Sequence, residues 1–231
     1  MKYSVNFRDG KISVKCDDKE HIYRVLYHAM TIAKTEENIN FDVLIAACLL
    51  HDIGRREQYE NPELCHALVG GEKAYRFLKE NGFDESFALH VRQCIQSHRY
   101  RQNNPPKSLE AKILFDADKL DAVGAMGIAR TLLYQGIVGD PLYTYLPDGS
   151  ISHGEKTDIP SFFHEYKYKL EKLYDRFYTK KAAEIANQRK SAAVSFYNSL
   201  LDEVQSTYGY GLADSLVKPS KPPCAVSSAA A

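Results

Sequence analysis

Histidines and aspartates follow one another along this chain in an order that could build a metal site. His21 comes first, the adjacent pair His51 and Asp52 follows, and His98 and Asp118 come later. Imidazole and carboxylate groups are the ligands of catalytic transition metals and of Mg²⁺ or Mn²⁺. His51 and Asp52 close an otherwise apolar stretch, where an ionised carboxylate is costly unless it is paired or bound to a cation. A cation coordinated by both residues would offset that cost.

Each of these residues, taken singly, has an ordinary structural explanation. A lone histidine near a helix end is usually a surface residue or a hydrogen-bonded core group. An aspartate that follows a helix is usually a turn former. The order of the set is therefore what favours a site.

The same residues resemble the motifs of the HD-domain superfamily of metal-dependent phosphohydrolases. The matching stretches are His21-Ile-Tyr-Arg-Val25, Leu50-His-Asp-Ile-Gly54 and Asp116-Ala-Asp-Lys-Leu-Asp121. A broader similarity to one bacterial branch of small HD proteins, akin to nucleotide pyrophosphatases, covers roughly residues 19 to 206. The resemblance implies an all-α helical bundle that binds a divalent metal ion through His21, His51, Asp52 and Asp118.

The identity and the number of the metal ions are further expectations. Mn²⁺ or Mg²⁺ suits a phosphohydrolase, although two histidines and two aspartates also accept Fe, Co, Ni or Zn. HD proteins with two extra histidines before the last aspartate can hold two metals, and His66 and His98 lie in that interval. Because His66 follows Asp52 by only fourteen residues, we favour one metal, with His66 and His98 lining the substrate site.

Phosphoryl transfer also needs a positioned water and cations for the developing charge. Asp118 and Asp121 are three residues apart and share one helix face, so one can bind the ion while the other orients a water or a ligand. Side chains that could bind the substrate are Arg24, His98, Arg55, Arg56, Lys119 and Lys169. Solvated surface charge is the alternative for each cation.

The general base is left open by the sequence. Several HD phosphohydrolases carry an acidic residue three or four positions after the aspartate of the His-Asp pair. Here those positions are Arg55 and Arg56, and Glu57 comes next. Asp52, Glu57, His66 and Asp121 all remain candidates. The two arginines suit a polyanionic substrate, or they pair with Glu57 or Glu60 on a surface turn.

These observations favour hydrolysis of phosphate or diphosphate from a small phosphorylated metabolite, with a nucleoside di- or triphosphate as the expected substrate. A di-iron oxygenase on the same scaffold is an alternative that needs His66 and His98 on the metal. A catalytically silent nucleotide-binding module is another, and the presence of all four expected ligands argues against it.

The elements that must position these residues are helical. Period-2 alternation around Asp9-Gly10 predicts a β-hairpin appendage over residues 1–16, and a helical domain follows over 17–213. Apolar spacing predicts helices from Asp17, over 41–51, from Pro62 to Gly82, over 85–98, 109–134, 161–178 and 180–207. Residues 100–107 read as a loop. The glycine- and proline-rich stretch 135–160 is long enough for a lid, and residues 214–231 have the composition of a disordered tail.

Composition excludes several classes of protein. The 231 residues carry 30 basic and 30 acidic side chains, which argues against binding to a nucleic-acid polymer. No apolar run is long enough to cross a bilayer, so we expect no membrane partner. Without a signal peptide, and with an odd number of cysteines, the chain is expected in the reducing cytoplasm. The oligomeric state is open, with a homodimer as one option.

Overall fold

The computed structural model describes residues 5–8, 11–14, 19–99, 104–155 and 159–208. Within these ranges the body is all-α, as predicted. Two strands, β1 (Val5–Arg8) and β2 (Lys11–Val14), pair antiparallel with Val5 opposite Val14. The turn at Asp9-Gly10, the predicted helix start at Asp17 and the tail 214–231 lie outside the described residues.

Nine helices and one 3-10 turn make up the described body. In chain order they are α1 (Lys19–Ala33), α2 (Phe41–Leu50), α3 (Arg55–Glu60), α4 (His66–Glu80), α5 (Glu85–Ser97), α6 (Leu109–Leu120), α7 (Gly124–Val138), α8 (Phe162–Tyr168), the 3-10 turn Leu170–Lys172, and α9 (Lys180–Tyr208). None of the described helices is both long and apolar enough to span a membrane.

Polar side chains set several helix starts. Asn40, Asp84, Ser108 and Ser161 each precede a helix and accept a hydrogen bond from a backbone N–H in its first turn. Such caps satisfy N–H groups that have no partner within the helix. They begin α2, α5, α6 and α8 close to the predicted positions.

The core lies between α1, α2, α5 and α6. Helix α1 packs on α2 and α6, and α5 packs on α2, α4 and α6. Val25, Leu44, Ile95 and Leu114 are fully buried among them. Helix α2 packs on α1, α5 and α6 with one face and leaves Phe41 and Leu49 exposed on the other. Its carboxyl end therefore delivers His51 and Asp52 into the middle of the molecule.

The predicted helix over 109–134 is wrong, because the structure breaks it into α6 and α7. The backbone at Gly124 has a φ of +67°, a conformation that favours glycine. A Cβ at this position would lie 2.7 Å from Cβ of Arg189. The N–H of Gly124 donates to the hydroxyl of Tyr174 at 3.0 Å. The break is thus set by contacts with distant parts of the chain.

Three other boundaries differ from the prediction. Helix α2 ends before Gly54, which instead begins the unpredicted short helix α3. Helix α7 runs on to Val138, and Gly139 ends it with a left-handed φ of 83°. The predicted helix 161–178 is only α8 and the 3-10 turn, after which Asp116 fixes the chain. Its carboxylate accepts hydrogen bonds from the backbone of Tyr178 and from the backbone and hydroxyl of Thr179.

Candidate metal centre

Four buried histidines from four helices meet at one point in the structure. His21 lies in the first turn of α1, His51 follows α2, His66 begins α4 and His98 follows α5. Each is at most 3% exposed. The Nε2 atoms of His21 and His51 are 3.3 Å apart, and so are those of His66 and His98.

The second ring nitrogen of each histidine, Nδ1, contacts an oxygen on the side away from the cluster. Each Nδ1 lies within hydrogen-bonding distance of an oxygen: Asp121 Oδ2 for His21 at 2.7 Å, Cys48 O for His51 at 2.8 Å, Gln58 Oε1 for His66 at 2.5 Å, and Ile95 O for His98 at 2.6 Å. A carbonyl oxygen accepts, so Nδ1 of His51, His66 and His98 carries the proton and Nε2 a lone pair. Nδ1 of His21 lies between the carboxylate of Asp121 and the guanidinium of Arg130. Metal-binding histidines are oriented in this way.

Two aspartates complete the cluster. Oδ1 of Asp118 lies 3.3 Å from Nε2 of His21. Oδ2 of Asp52 lies 3.6 Å from Nε2 of both His21 and His51, whereas its Oδ1 lies 3.5 Å from His66 and 3.9 Å from His98. Two donor groups result, His21–His51–Asp118 and Asp52–His66–His98, each with its ligand atoms within 4.8 Å of one another.

The position of His66 departs from the expectation based on its short spacing. Helix α3 and the turn after it bring the chain back within fourteen residues, so that His66 faces Asp52. The close approach depends on Gly54, where a Cβ would lie 2.4 Å from the carbonyl oxygen of His66. His66 and His98 therefore share a donor group with Asp52 as well as lining the cavity.

The protonation states of His66, His98, Asp52 and Asp118 favour metal binding. Burial lowers the pKa of His66 to about 3 and that of His98 to about 4, so both are neutral at physiological pH. Burial opposes ionisation of Asp52, yet neighbouring positive charge that includes Arg55 holds its pKa below the usual value. Burial likewise opposes ionisation of Asp118, and the ammonium of Lys119 holds its pKa well below normal.

Asp121 lies behind this cluster, outside both donor groups. Its carboxylate is 1% exposed, contacts the guanidinium of Arg130, and accepts hydrogen bonds from Arg24 Nε at 2.6 Å and Nη2 at 3.0 Å. Nη1 of Arg130 also lies 2.6 Å from Nδ1 of His21. The structure therefore places Asp121 and Arg130 in contact with His21. Arg24 contacts Asp121 and is not among the described residues that line the cavity.

A cavity of about 540 Å³ opens on the donor groups. Lys119 lies at its inner end, with Nζ 2.8 Å from Oδ2 of Asp118 and 3.4 Å from the carbonyl oxygen of His98. Arg55 lines it too and binds Oδ1 of Asp52 at 2.8 Å. The other cationic lining residues are Arg99, Arg130, Lys169, Lys172 and Arg176. Such a lining suits an anionic ligand.

Two of the predicted site residues lie elsewhere. Arg56 is 83% exposed and pairs with Glu60 at 2.8 Å, which is the surface arrangement of the alternative interpretation. Glu57 does not line the cavity; its Oε1 is 2.5 Å from Nζ of Lys73 on α4. The reason is that α3 turns these two side chains away from the cavity. The described part of the predicted lid 135–160 does not line the cavity either.

Sequence reasoning missed four residues at this site. Gln58 orients His66, and Arg130 contacts Asp121. Lys172 and Arg176 line the cavity from a segment that has no motif. A lone glutamine on a six-residue helix gives no periodic signal, and isolated basic residues read as surface charge.

Comparisons with known proteins point in one direction. The family model of the HD domain matches residues 19–123. A predicted HD superfamily hydrolase from an uncultured Thermotogales bacterium is 32% identical, over 81% of this chain and 83% of its own, with a TM-score of 0.53. An HD-superfamily hydrolase from Bacillus thuringiensis is 31% identical, over 82% and 87%, with a TM-score of 0.60. Bacillus subtilis YpgQ, solved in complex with ADP, is 27% identical over 81% and 90%, with a TM-score of 0.63.

Proposed function

This chain belongs to the HD superfamily of hydrolases, and from that premise we propose that it is a metal-dependent phosphohydrolase acting on a nucleoside di- or triphosphate. One observation carries the proposal. Four buried imidazoles point their Nε2 atoms at one another and at two carboxylates. The Nε2 lone pairs of His66 and His98, 3.3 Å apart, repel, and a bound cation would turn that repulsion into coordination.

The residues present fit divalent metal. His21, His51 and Asp118 would hold one ion, and His66 and His98 would hold a second, with the carboxylate of Asp52 between the two groups. Bound there, divalent metal would polarise a phosphate oxygen and lower the pKa of a coordinated water. Mn²⁺ or Mg²⁺ is the natural choice for phosphate chemistry.

The remaining side chains orient the ligands and balance charge. Asp121 holds the ring of His21 through Nδ1, and Arg24 and Arg130 hold the Asp121 carboxylate in place. Lys119 and Arg55 place positive charge beside Asp118 and Asp52, where phosphate oxygens would bind. On this view Asp121 is a positioning residue, and Asp52 remains the candidate for handling a water proton.

The alternative of a di-iron oxygenase draws support from the second donor group, because it requires His66 and His98 on the metal. The lining of the cavity favours the phosphohydrolase. Seven lysine and arginine side chains line it against the two carboxylates of Asp118 and Asp121, a balance that suits phosphate. YpgQ was solved with ADP, which supports a nucleotide as the ligand. We place the protein in the cytoplasm, where the unpaired thiols of Cys48, Cys65 and Cys94 would stay reduced.

The proposal is tested with purified protein, a panel of nucleoside mono-, di- and triphosphates, and Mn²⁺, Mg²⁺ or Fe²⁺. We expect phosphate or diphosphate release that EDTA abolishes, and a loss of at least about a hundredfold in kcat/KM for His51→Ala and Asp52→Ala. Asp202→Asn, on the exposed face of α9, is the matched control. Full activity in both site variants, or two irons with oxygen consumption and no phosphate release, would overturn the assignment.

A further inference from the structure

The lining of the cavity comes from two separate parts of the chain. Helices α1 to α7 supply the donor groups and Arg55, Arg99, Lys119 and Arg130. A second part, here called the basic segment, runs from Tyr168 to Arg176 and supplies Tyr168, Lys169, Lys172, Leu173 and Arg176. None of the sequence motifs falls within the basic segment, and none of the candidate metal ligands lies in it.

The basic segment is a fixed wall of the cavity. Leu170, Leu173 and Tyr174 are buried, and the hydroxyl of Tyr174 accepts the hydrogen bond from Gly124 at the α6–α7 break. Lys169, Lys172 and Arg176 follow the end of α8, with only Lys172 inside the 3-10 turn. All three line the cavity.

The charge of Lys172 is not balanced locally. Lys169 binds Oε1 of Glu165 at 2.5 Å, whereas Lys172 contacts no carboxylate among the residues that the structure describes. Its Nζ lies over the ring of Tyr168, 5.5 Å from the centroid. A cation held over a ring face keeps its remaining hydrogen-bond donors for another ligand.

The two aromatic rings in the lining are occupied. Lys119 lies over the ring of Phe115 at 4.8 Å from its centroid, and the ring of Tyr168 stacks on His164 at 5.4 Å besides contacting Lys172. Each ring thus has a lysine ammonium over it, and the ring of Tyr168 also stacks on His164 although the residue is 67% exposed. The positive charge, rather than the aromatic surface, is what this cavity presents to a ligand.

We propose that the basic segment is a binding subsite for the phosphates beyond the reacting one, so that the cavity selects a linear polyphosphate chain and not the base attached to it. This inference rests on the proposed function for the reacting phosphate. It makes inorganic tripolyphosphate a ligand comparable with a nucleoside triphosphate. Lys172 provides the charge-assisted hydrogen bond to the distal phosphates.

The test is isothermal titration of the full chain in EDTA, which stops turnover, with orthophosphate, pyrophosphate, tripolyphosphate and ATP as probes. We expect affinity to rise with chain length and ATP to bind within about fivefold of tripolyphosphate. Lys172→Gln is expected to weaken tripolyphosphate binding about fivefold to tenfold, and Lys169→Gln less, because Glu165 already neutralises Lys169. Lys190→Gln is the control: Lys190 also lies over a tyrosine ring, that of Tyr174, but outside the cavity lining.

Unchanged tripolyphosphate affinity in Lys172→Gln, in a variant with normal thermal unfolding, would overturn the subsite. ATP binding more than about fivefold tighter than tripolyphosphate would also overturn it, since the base or sugar would then be recognised. Binding is measured without turnover, so the two proposals can fail separately. If the protein binds tripolyphosphate but hydrolyses no substrate, the proposed function is wrong and the proposed subsite is retained.

Discussion

Oδ2 of Asp121 lies 2.7 Å from Nδ1 of His21, across one hundred residues of sequence. The carboxylate holds the ring of His21 so that its Nε2 points at Asp118 and His51. A residue that was a candidate general base thus lies behind a candidate metal ligand and orients its ring.

We expect Asp121→Asn to weaken Mn²⁺ binding by about tenfold to a hundredfold, because a neutral amide replaces the charged carboxylate that orients His21. Isothermal titration with Mn²⁺ measures the change, and excess Mn²⁺ should restore much of the activity. Asp202→Asn serves as the exposed control. An unchanged Mn²⁺ affinity with a large fall in kcat would instead place Asp121 in the chemical step.

Metal stoichiometry separates the two roles of His66 and His98. We expect wild type to bind two Mn²⁺ ions, and His98→Ala to bind one, because the Asp52–His66–His98 group loses a ligand. Metal analysis after desalting counts the ions, and electron paramagnetic resonance reports coupling between paired Mn²⁺. One ion in wild type, retained in His98→Ala, would restore the simpler arrangement in which these histidines only line the cavity.

Adding a methyl group at two different glycines is expected to change the free energy of unfolding in opposite directions. Gly54→Ala would press Cβ against the carbonyl oxygen of His66, and we expect a loss of about 2 kcal/mol in the free energy of unfolding together with reduced activity. Gly136 lies on α7 with nothing within 4 Å of an added Cβ. Gly136→Ala should raise the free energy of unfolding by about 0.5–1 kcal/mol. Urea unfolding monitored by circular dichroism measures both, and a stabilised Gly54→Ala would contradict the packing described here.

His28 makes stability depend on pH. Burial and the charges of Arg189 and Arg24 lower its pKa to about 4, and Nε2 lies 3.4 Å from Nη2 of Arg189. The imidazole stays neutral when folded but protonates near 6.5 when unfolded, so stability is lost as pH falls from about 6.5 toward 4. His28→Gln keeps an acceptor for Arg189 and does not titrate. In EDTA, its loss of unfolding free energy between about pH 7 and about pH 5 should be about 2 kcal/mol smaller than that of wild type.

The difference between the two proteins isolates His28, because His66 and His98 titrate in both. Urea unfolding at the two pH values gives the measurement. Parallel pH profiles for wild type and His28→Gln would show that His28 does not contribute.

The helical body and the first donor group could be predicted from the sequence because local signals carry them. Apolar spacing predicts the α1, α2, α4 and α5 regions, and His51 and Asp52 stand out at the end of an apolar helix. The resemblance to HD proteins added His21 and Asp118. All four lie in the cluster that the structure describes.

The rest depended on contacts that no local pattern records. Ala122 and Val123 continue the apolar spacing, so the sequence gives no sign that Tyr174 and Arg189 break the helix at Gly124. The fourteen residues between Asp52 and His66 looked too few because the short helix α3 was not predicted. In the sequence, nothing distinguishes Lys172 and Arg176 from ordinary surface cations. The structure shows that both follow α8 and line the cavity.

The break between α6 and α7 determines whether Arg130 can contact Asp121. A straight helix over the thirty residues 109–138 would be a rod about 45 Å long. On that rod Arg130 would lie about 14 Å along the axis from Asp121, beyond the combined reach of the two side chains. The change of direction at Gly124 lets the guanidinium return to the carboxylate that orients His21. One left-handed glycine thereby allows Arg130, Asp121 and His21 to contact one another, which two regular helices in line would not allow.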